Sequence, residues 1–210
     1  IATSDPKTTF AMTTPGAVER RLMKRIEHVP ANRSNAAPFL ANVAMNGPLR
    51  LKKHQEMRHD DADINKAVGL MGLADDVRHS FATARRGDIP TKHAISLSPL
   101  SNIDPTQAPE GCSIVYLYLP AVAVDPREGW SPELKDRTMA SVIDQVSEYY
   151  DGFQNEVGRF VETAREREVR LNAMNGCVTH VDFGAMRSGT DRPATGFGGP
   201  KPAVPGLLLG

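Results

Sequence analysis

Ser113-Ile114-Val115-Tyr116-Leu117-Tyr118-Leu119-Pro120 is the stretch on which the fold turns. Branched, aromatic and leucine side chains follow one another without a charge, the make-up of a strand on a pleated, half-buried surface. Ahead of it runs Asn102-Ile103-Asp104-Pro105-Thr106-Gln107-Ala108-Pro109-Glu110-Gly111, a turn-forming segment, and before that His93 to Leu100 reads as a second strand. Behind it, Ser131-Pro132-Glu133 opens a helix with an N-cap serine, a proline at the first position and an acid in the first turn. That helix is predicted to run to about Tyr150, with Met139, Val142, Ile143 and Val146 on its inner face, and Asp151-Gly152 stops it.

Working outward, Ala17 to Val29 has Val18, Leu22, Ile26 and Val29 at helical spacing, between Pro15-Gly16 and Pro30. Pro38 to Met45 is a predicted strand, and Leu51 to Asp63 a polar, exposed connection. Ile64 to Arg86 reads as helical but broken near Gly69 and Gly72, with Gly87 as its C-cap. Val157 to Thr163 is a further strand, Arg165 to Leu171 a short helix and Cys177 to Val181 another strand. Ser188 to Pro205 is a loop rich in Gly and Pro. Helices and strands mix irregularly, which sets the class as α+β (mixed α/β), a mixed β-sheet covered by helices.

Composition narrows the functions. Apolar residues make up 40% and charged residues 24%, a globular balance. Twenty-five basic residues meet 25 acidic ones, so no global field draws the chain to nucleic acid. Two cysteines, Cys112 and Cys177, on separate apolar stretches favour a reducing, cytoplasmic setting. No apolar run approaches the ~18–20 residues needed to span a bilayer, leaving peripheral membrane contact as the most to expect.

Motifs are sparse. Gly196-Phe197-Gly198-Gly199-Pro200 lacks the G-x-G-x-x-G spacing, follows a loop, and has Pro200 where a helix would start, so it is no phosphate cradle. His54 and His59 lie beside Asp60, Asp61 and Asp63, but their spacing fits no standard ligand pair, and a solvated loop explains them better; no metal is expected. His180 and Asp182 end the predicted Cys177–Val181 strand, where alternation would put them on one face and let the carboxylate steady the imidazole. Structural hydrogen bonding is the commoner use of such a pair. Both cysteines read as small core residues. Tyr116, Tyr118, Tyr149, Tyr150 and Trp130 are available to line an apolar cavity, although such aromatics usually build core. No catalytic residue stands out.

The chain opens on Ile1-Ala2-Thr3 before Ser4-Asp5-Pro6, and closes on Pro205-Gly206-Leu207-Leu208-Leu209-Gly210, a strand entering a glycine turn. Half-finished elements at both ends lead us to expect a part of a larger protein.

Taken in order, these phrases resemble the C-terminal portion of phytoene-desaturase-like FAD-dependent oxidoreductases. Asp104-Pro105-Thr106-Gln107-Ala108-Pro109-Glu110-Gly111 before SIVYLYLP is similar to that family's Asp-Pro-x-x-Ala-Pro-x-Gly turn and strand. So are Glu148-Tyr149-Tyr150-Asp151-Gly152-Phe153, Asn175-Gly176-Cys177-Val178-Thr179-His180-Val181-Asp182, Arg192-Pro193 and the closing Pro205-Gly206-Leu207 phrase. The resemblance implies a substrate-domain-like fragment of a two-domain flavoprotein. It divides into residues 1–15 leaving a cofactor domain, a substrate-binding domain over 16–187, and a return segment over 188–210. It also implies FAD held mainly by the absent FAD-binding part of the same protein, an apolar small-molecule substrate, and no activity for this fragment alone. By the same resemblance, His180, Asp182, Met186, Arg192 and Gly210 are candidates for positions near substrate or flavin. An apolar patch prone to self-association is expected around the first residues and Leu207–Leu209. The alternative is a non-enzymatic binding or scaffold module, one chain of a split assembly.

Overall fold

The computed structural model describes residues 2, 4–52, 58–184, 187–197 and 204–207. In chain order its elements are α1 (Pro6–Ala11), α2 (Arg20–Glu27), β1 (Ala36–Met45), β2 (Arg50–Leu51), β3 (Gly69–Met71), α3 (Ala74–Arg85), β4 (Ile95–Ser98), α4 (Leu100–Ile103), β5 (Ser113–Ala123), α5 (Pro132–Ser147), β6 (Tyr150–Asp151), β7 (Glu156–Glu162) and α6 (Ala164–Leu171). The chain is mixed α+β and forms two compact units: residues 35–163, and the two flanking segments 1–34 with 164–210.

The unit of residues 35–163 is built on a five-stranded sheet in the order β3-β4-β5-β1-β7, each neighbouring pair antiparallel. β5 is the SIVYLYLP strand extended to Ala123, and it pairs along its length with β1, Val115 opposite Val43 and Tyr118 opposite Leu40. Both strands contain a proline, and the ladder tolerates them because its register shifts there. Ala37 faces Val122 and Phe39 faces Leu119, so Pro38 and Pro120 fall in the irregularity, where no amide donor is needed.

Period-two alternation divides the sheet into two faces. Phe39, Ala41, Val43, Val115, Leu117, Leu119 and Leu97 are buried and form one core with Met139, Val142 and Val146 of α5. α5 starts as its sequence dictates: the Ser131 hydroxyl accepts from the Leu134 amide at 3.2 Å and Pro132 occupies the first turn. Trp130 stacks on Phe39 at 5.8 Å between centroids and donates to the Val124 carbonyl at 3.0 Å. On the opposite face, Ala84 and Phe81 of α3 meet Ala36 and Ala121 at one end.

The stretch read as one broken helix, Ile64 to Arg86, resolves into a 3-10 turn at Ile64–Lys66, the edge strand β3 and the helix α3. Gly72, at φ +101°, turns the chain between the last two, which no helix could do. Gly87 follows α3 with φ +79°, the left-handed residue expected after a helix.

Asn35 adopts φ +59° and ties three segments of this unit together. Its side-chain oxygen accepts from the Asp125 amide at 2.8 Å, and its nitrogen donates to the carbonyls of Ala84 and Asp125 at 3.1 Å each. Asn35→Ala removes these bonds and leaves a residue that resists the left-handed region. A loss of about 2–4 kcal/mol is expected, read as a lower urea midpoint at constant slope.

The other unit is held by Phe10, Val18, Ile26, Val29, Val181 and Phe197, with Phe10 edge-on to Phe197 at 4.9 Å. Asp5-Pro6 caps α1: the Asp5 carboxylate accepts from the amides of Lys7 at 2.9 Å and Thr8 at 3.2 Å. The predicted strand over Cys177–Val181 is a succession of turns. Asn172, Asn175, Gly176 and His180 all have φ between +50° and +63°, and the His180 amide donates back to the Cys177 carbonyl at 3.0 Å. Four left-handed residues in nine positions cannot make a pleated ladder.

Candidate functional site

Three surfaces offer chemistry, each within one unit. The first is the sheet face opposite α5. The register aligns Leu70, Ser96, Tyr118 and Leu40 in one cross-strand row, and Ser98, Tyr116, Asn42 and Phe160 in the next. Leu70 is 81% exposed and Phe160 55%, and the others are half-buried. A face carrying this much apolar and aromatic surface, interrupted by two serines and an asparagine, suits a largely apolar ligand with few polar groups.

The second is a groove of about 1080 Å3 between β3 and α5. Met71, Leu51, Ala140 and Tyr150 supply apolar wall, and Asp76, Lys92, Arg137, Asp144 and Glu148 supply charge. The volume matches a site for a sizeable organic molecule or a peptide segment. Lys92 pairs with Asp76 at 3.4 Å and Arg137 with Glu128 at 2.7 Å. The Asp76 carboxyl lies below its ordinary range, chiefly because it accepts from the Leu73 amide at 2.7 Å.

The third is a pocket of about 530 Å3 in the other unit, lined by Ser4, Thr179, His180, Phe183, Gly189 and Arg192 among others. His180 and Arg192 thus come together here. The Arg192 guanidinium donates to the Thr179 carbonyl and sits 4.4 Å from the centre of the Phe183 ring, a cation–π contact on a ring 67% exposed. His180 also borders a smaller cavity of about 340 Å3 with Asp5, Cys177 and Val178.

Asp182 does something else. With no strand at Cys177–Val181 the alternation that would pair it with His180 is absent. Its carboxylate accepts from the Asn32 amide at 2.5 Å and the Arg33 amide at 3.2 Å, while its own amide donates to Pro30. It clamps the turn after α2. Met186 and Gly210 lie outside the described residues, as do His54 and the Leu208–Leu209 part of the closing strand. Of the aromatics that the sequence offered for a cavity wall or for core, Tyr149 and Tyr150 line the β3–α5 groove.

Gly196, the described member of the glycine-rich stretch, turns with φ +95°, and a Cβ there would meet Leu22 at 3.0 Å and Arg25 at 3.2 Å. The side on which a Cβ would stand is taken up by its own unit's helix α2 and not by a phosphate, so Gly196 itself is not placed to hold FAD. Among the described residues no group of three or more His, Cys, Asp or Glu could hold a metal ion, and no helix is long and apolar enough to cross a membrane.

Fold and core together define a helix-backed antiparallel sheet. No known family profile matches the sequence. The chain is 27% identical over 197 residues to the rat (Rattus norvegicus) pyridine nucleotide-disulfide oxidoreductase domain-containing protein 2. The match takes in 89% of this chain but 32% of that protein, so the chain spans a minor part of its relative's length. The chain is therefore distantly similar to an oxidoreductase-domain protein.

Proposed function

We infer that this chain is the substrate-binding part of an FAD-dependent oxidoreductase that removes hydride from an apolar substrate. The observation that carries the reading is the similarity to an oxidoreductase-domain protein, which runs through nearly all of this chain. The Asp104 turn supports it. Asp104 caps the 3-10 turn Pro105–Gln107, accepting from the Thr106 amide at 3.0 Å and hydroxyl at 2.7 Å, and so sets the entry to β5. That is the Asp-Pro-x-x-Ala-Pro-x-Gly phrase on which the resemblance to phytoene-desaturase-like enzymes is best founded.

In this reading FAD is held by residues other than those described and supplies the redox chemistry when bound. This chain supplies the binding surface. The sheet face opposite α5 takes the substrate's apolar body by excluding water from it, and Ser96, Ser98 and Asn42 orient whatever polar group it carries. His180 and Arg192 present the cationic and titratable groups of the other unit's pocket. The test is anaerobic mixing of the native polypeptide containing these residues with apolar hydride donors such as polyenes. Flavin absorption is expected to bleach. Phe160→Asp, on that face, is expected to raise the half-saturating concentration about tenfold, the effect of ~1.4 kcal/mol of lost apolar contact. Bleaching unchanged by Phe160→Asp would remove the sheet face from the substrate site.

A further inference from the structure

The groove beside β3 has features that the oxidoreductase reading leaves unused. β3 ends the sheet order: one edge pairs with β4, and among the described residues the other edge pairs with no strand. Proteins usually blunt such an edge with charge or proline, but Gly69-Leu70-Met71 has neither. An exposed edge with an apolar side chain is a template for an added strand.

Tyr150 gives the independent sign of a ligand. The residue is only 4% exposed yet lines the groove, and its hydroxyl has no hydrogen-bond partner among the described residues. The oxygen is not sealed off, so a polar atom of a ligand in the groove can reach it. Gly69 makes its position possible, because a Cβ there would come within 2.5 Å of the Tyr150 oxygen. Burial raises the phenol's pKa above its ordinary value, so it stays a proton donor at neutral pH.

The facing wall sets the charge of the occupant. α5 carries Asp144, and Glu148 follows one turn on; both are exposed and without an ion-pair partner among the described residues. The basic groups nearby, Lys92 and Arg137, are already paired. The uncompensated charge is negative, which disfavours phosphate-bearing ligands and favours cations.

We propose that the groove is a docking site for an extended, basic segment of a partner protein, which adds to the free edge of β3 as a further strand. Period two places alternate side chains of that segment on one side. Basic residues on the α5 side reach Asp144 and Glu148, a backbone or side-chain polar atom meets the Tyr150 hydroxyl, and the intervening apolar residues lie along Leu70.

The test is fluorescence anisotropy with the 210-residue chain and an end-blocked, fluorescein-labelled hexapeptide of alternating lysine and valine. Saturable binding is expected, lost when alternate peptide amides are N-methylated and absent for the glutamate–valine counterpart. Asp144→Asn with Glu148→Gln is expected to weaken binding at least about tenfold and to flatten its salt dependence. Tyr150→Phe is expected to weaken it several-fold with an unchanged unfolding midpoint, since the hydroxyl has no internal partner to lose. No saturable binding, or binding indifferent to these substitutions or to N-methylation, overturns the proposal. So does self-association of the chain that depends on Leu70 and that the peptide cannot displace, which would make a second copy the occupant.

Discussion

Gly176→Ala is expected to cost the unit of residues 1–34 and 164–210 about 3–5 kcal/mol, enough to unfold it in a marginally stable chain. Two effects add. Gly176 has φ +61°, a region that an alanine occupies only at a cost of about 1–2 kcal/mol. The larger effect is contact: a Cβ there would lie 2.2 Å from the Ala164 carbonyl oxygen and 2.7 Å from two more of its backbone atoms. Backbone at the first residue of α6 cannot move aside as a side-chain tip can. Moving it also disturbs the buried Arg167 guanidinium, which donates to the Gly176 carbonyl at 3.0 Å. Gly189→Ala separates the two effects, because Gly189 has φ +56° with nothing within 4 Å of its added Cβ. It should cost only the conformational ~1–2 kcal/mol. Limited proteolysis and urea unfolding read both variants, and equal losses would show that the contact with Ala164 is relieved at no cost.

The second large effect is acid destabilisation of the unit of residues 35–163 through His93. Its side chain is 1% exposed, and neither ring nitrogen has a hydrogen-bond partner among the described residues. Its backbone is fixed by Gln145, whose side-chain oxygen accepts from the His93 amide at 2.9 Å and whose nitrogen donates to the His93 carbonyl at 2.6 Å. Burial lowers the imidazole pKa from 6.5 to about 4. The folded form therefore holds the ring neutral where the unfolded chain takes up a proton. Its contribution to stability is complete above pH 6.5 and is lost as pH falls from 6.5 toward 4. The full span is worth roughly 3 kcal/mol. His93→Leu should flatten the stability profile across that window and raise stability at pH 5, because two unsatisfied buried nitrogens disappear. A profile as steep in His93→Leu as in the parent would assign the acid sensitivity to other groups.

Where local chemistry and tertiary context agree, the sequence reads directly into structure. SIVYLYLP is β5, Ser131-Pro132-Glu133 caps α5, and Met139, Val142 and Val146 are its buried stripe. β1 and β7 fall where Pro38 to Met45 and Val157 to Thr163 read as strands. Two regions resisted. Cys177–Val181 has strand composition, but left-handed Asn172, Asn175 and Gly176 before it and His180 within it break the run into turns, and nothing in a residue's identity obliges Asn or His to adopt that conformation. β3 is three residues long, too short for periodicity to distinguish from a helix end. The groove depends on β3, so it was equally hidden. Its one legible sign was Asp144 and Glu148 spaced four apart, opposite the buried stripe of α5. Of the candidates near substrate or flavin, His180 and Arg192 share a pocket because Arg192 reaches back to the Thr179 carbonyl, a contact across thirteen residues that spacing does not reveal.

The proposed role in flavin chemistry is tested most directly by the visible absorption spectrum of the native polypeptide containing these residues, taken with its intact mass. The account predicts a mass well above the 22.8 kDa of this chain together with flavin absorption bands. A colourless native protein that remains colourless and takes up no FAD on titration would contradict it, and would favour a binding module that performs no redox step.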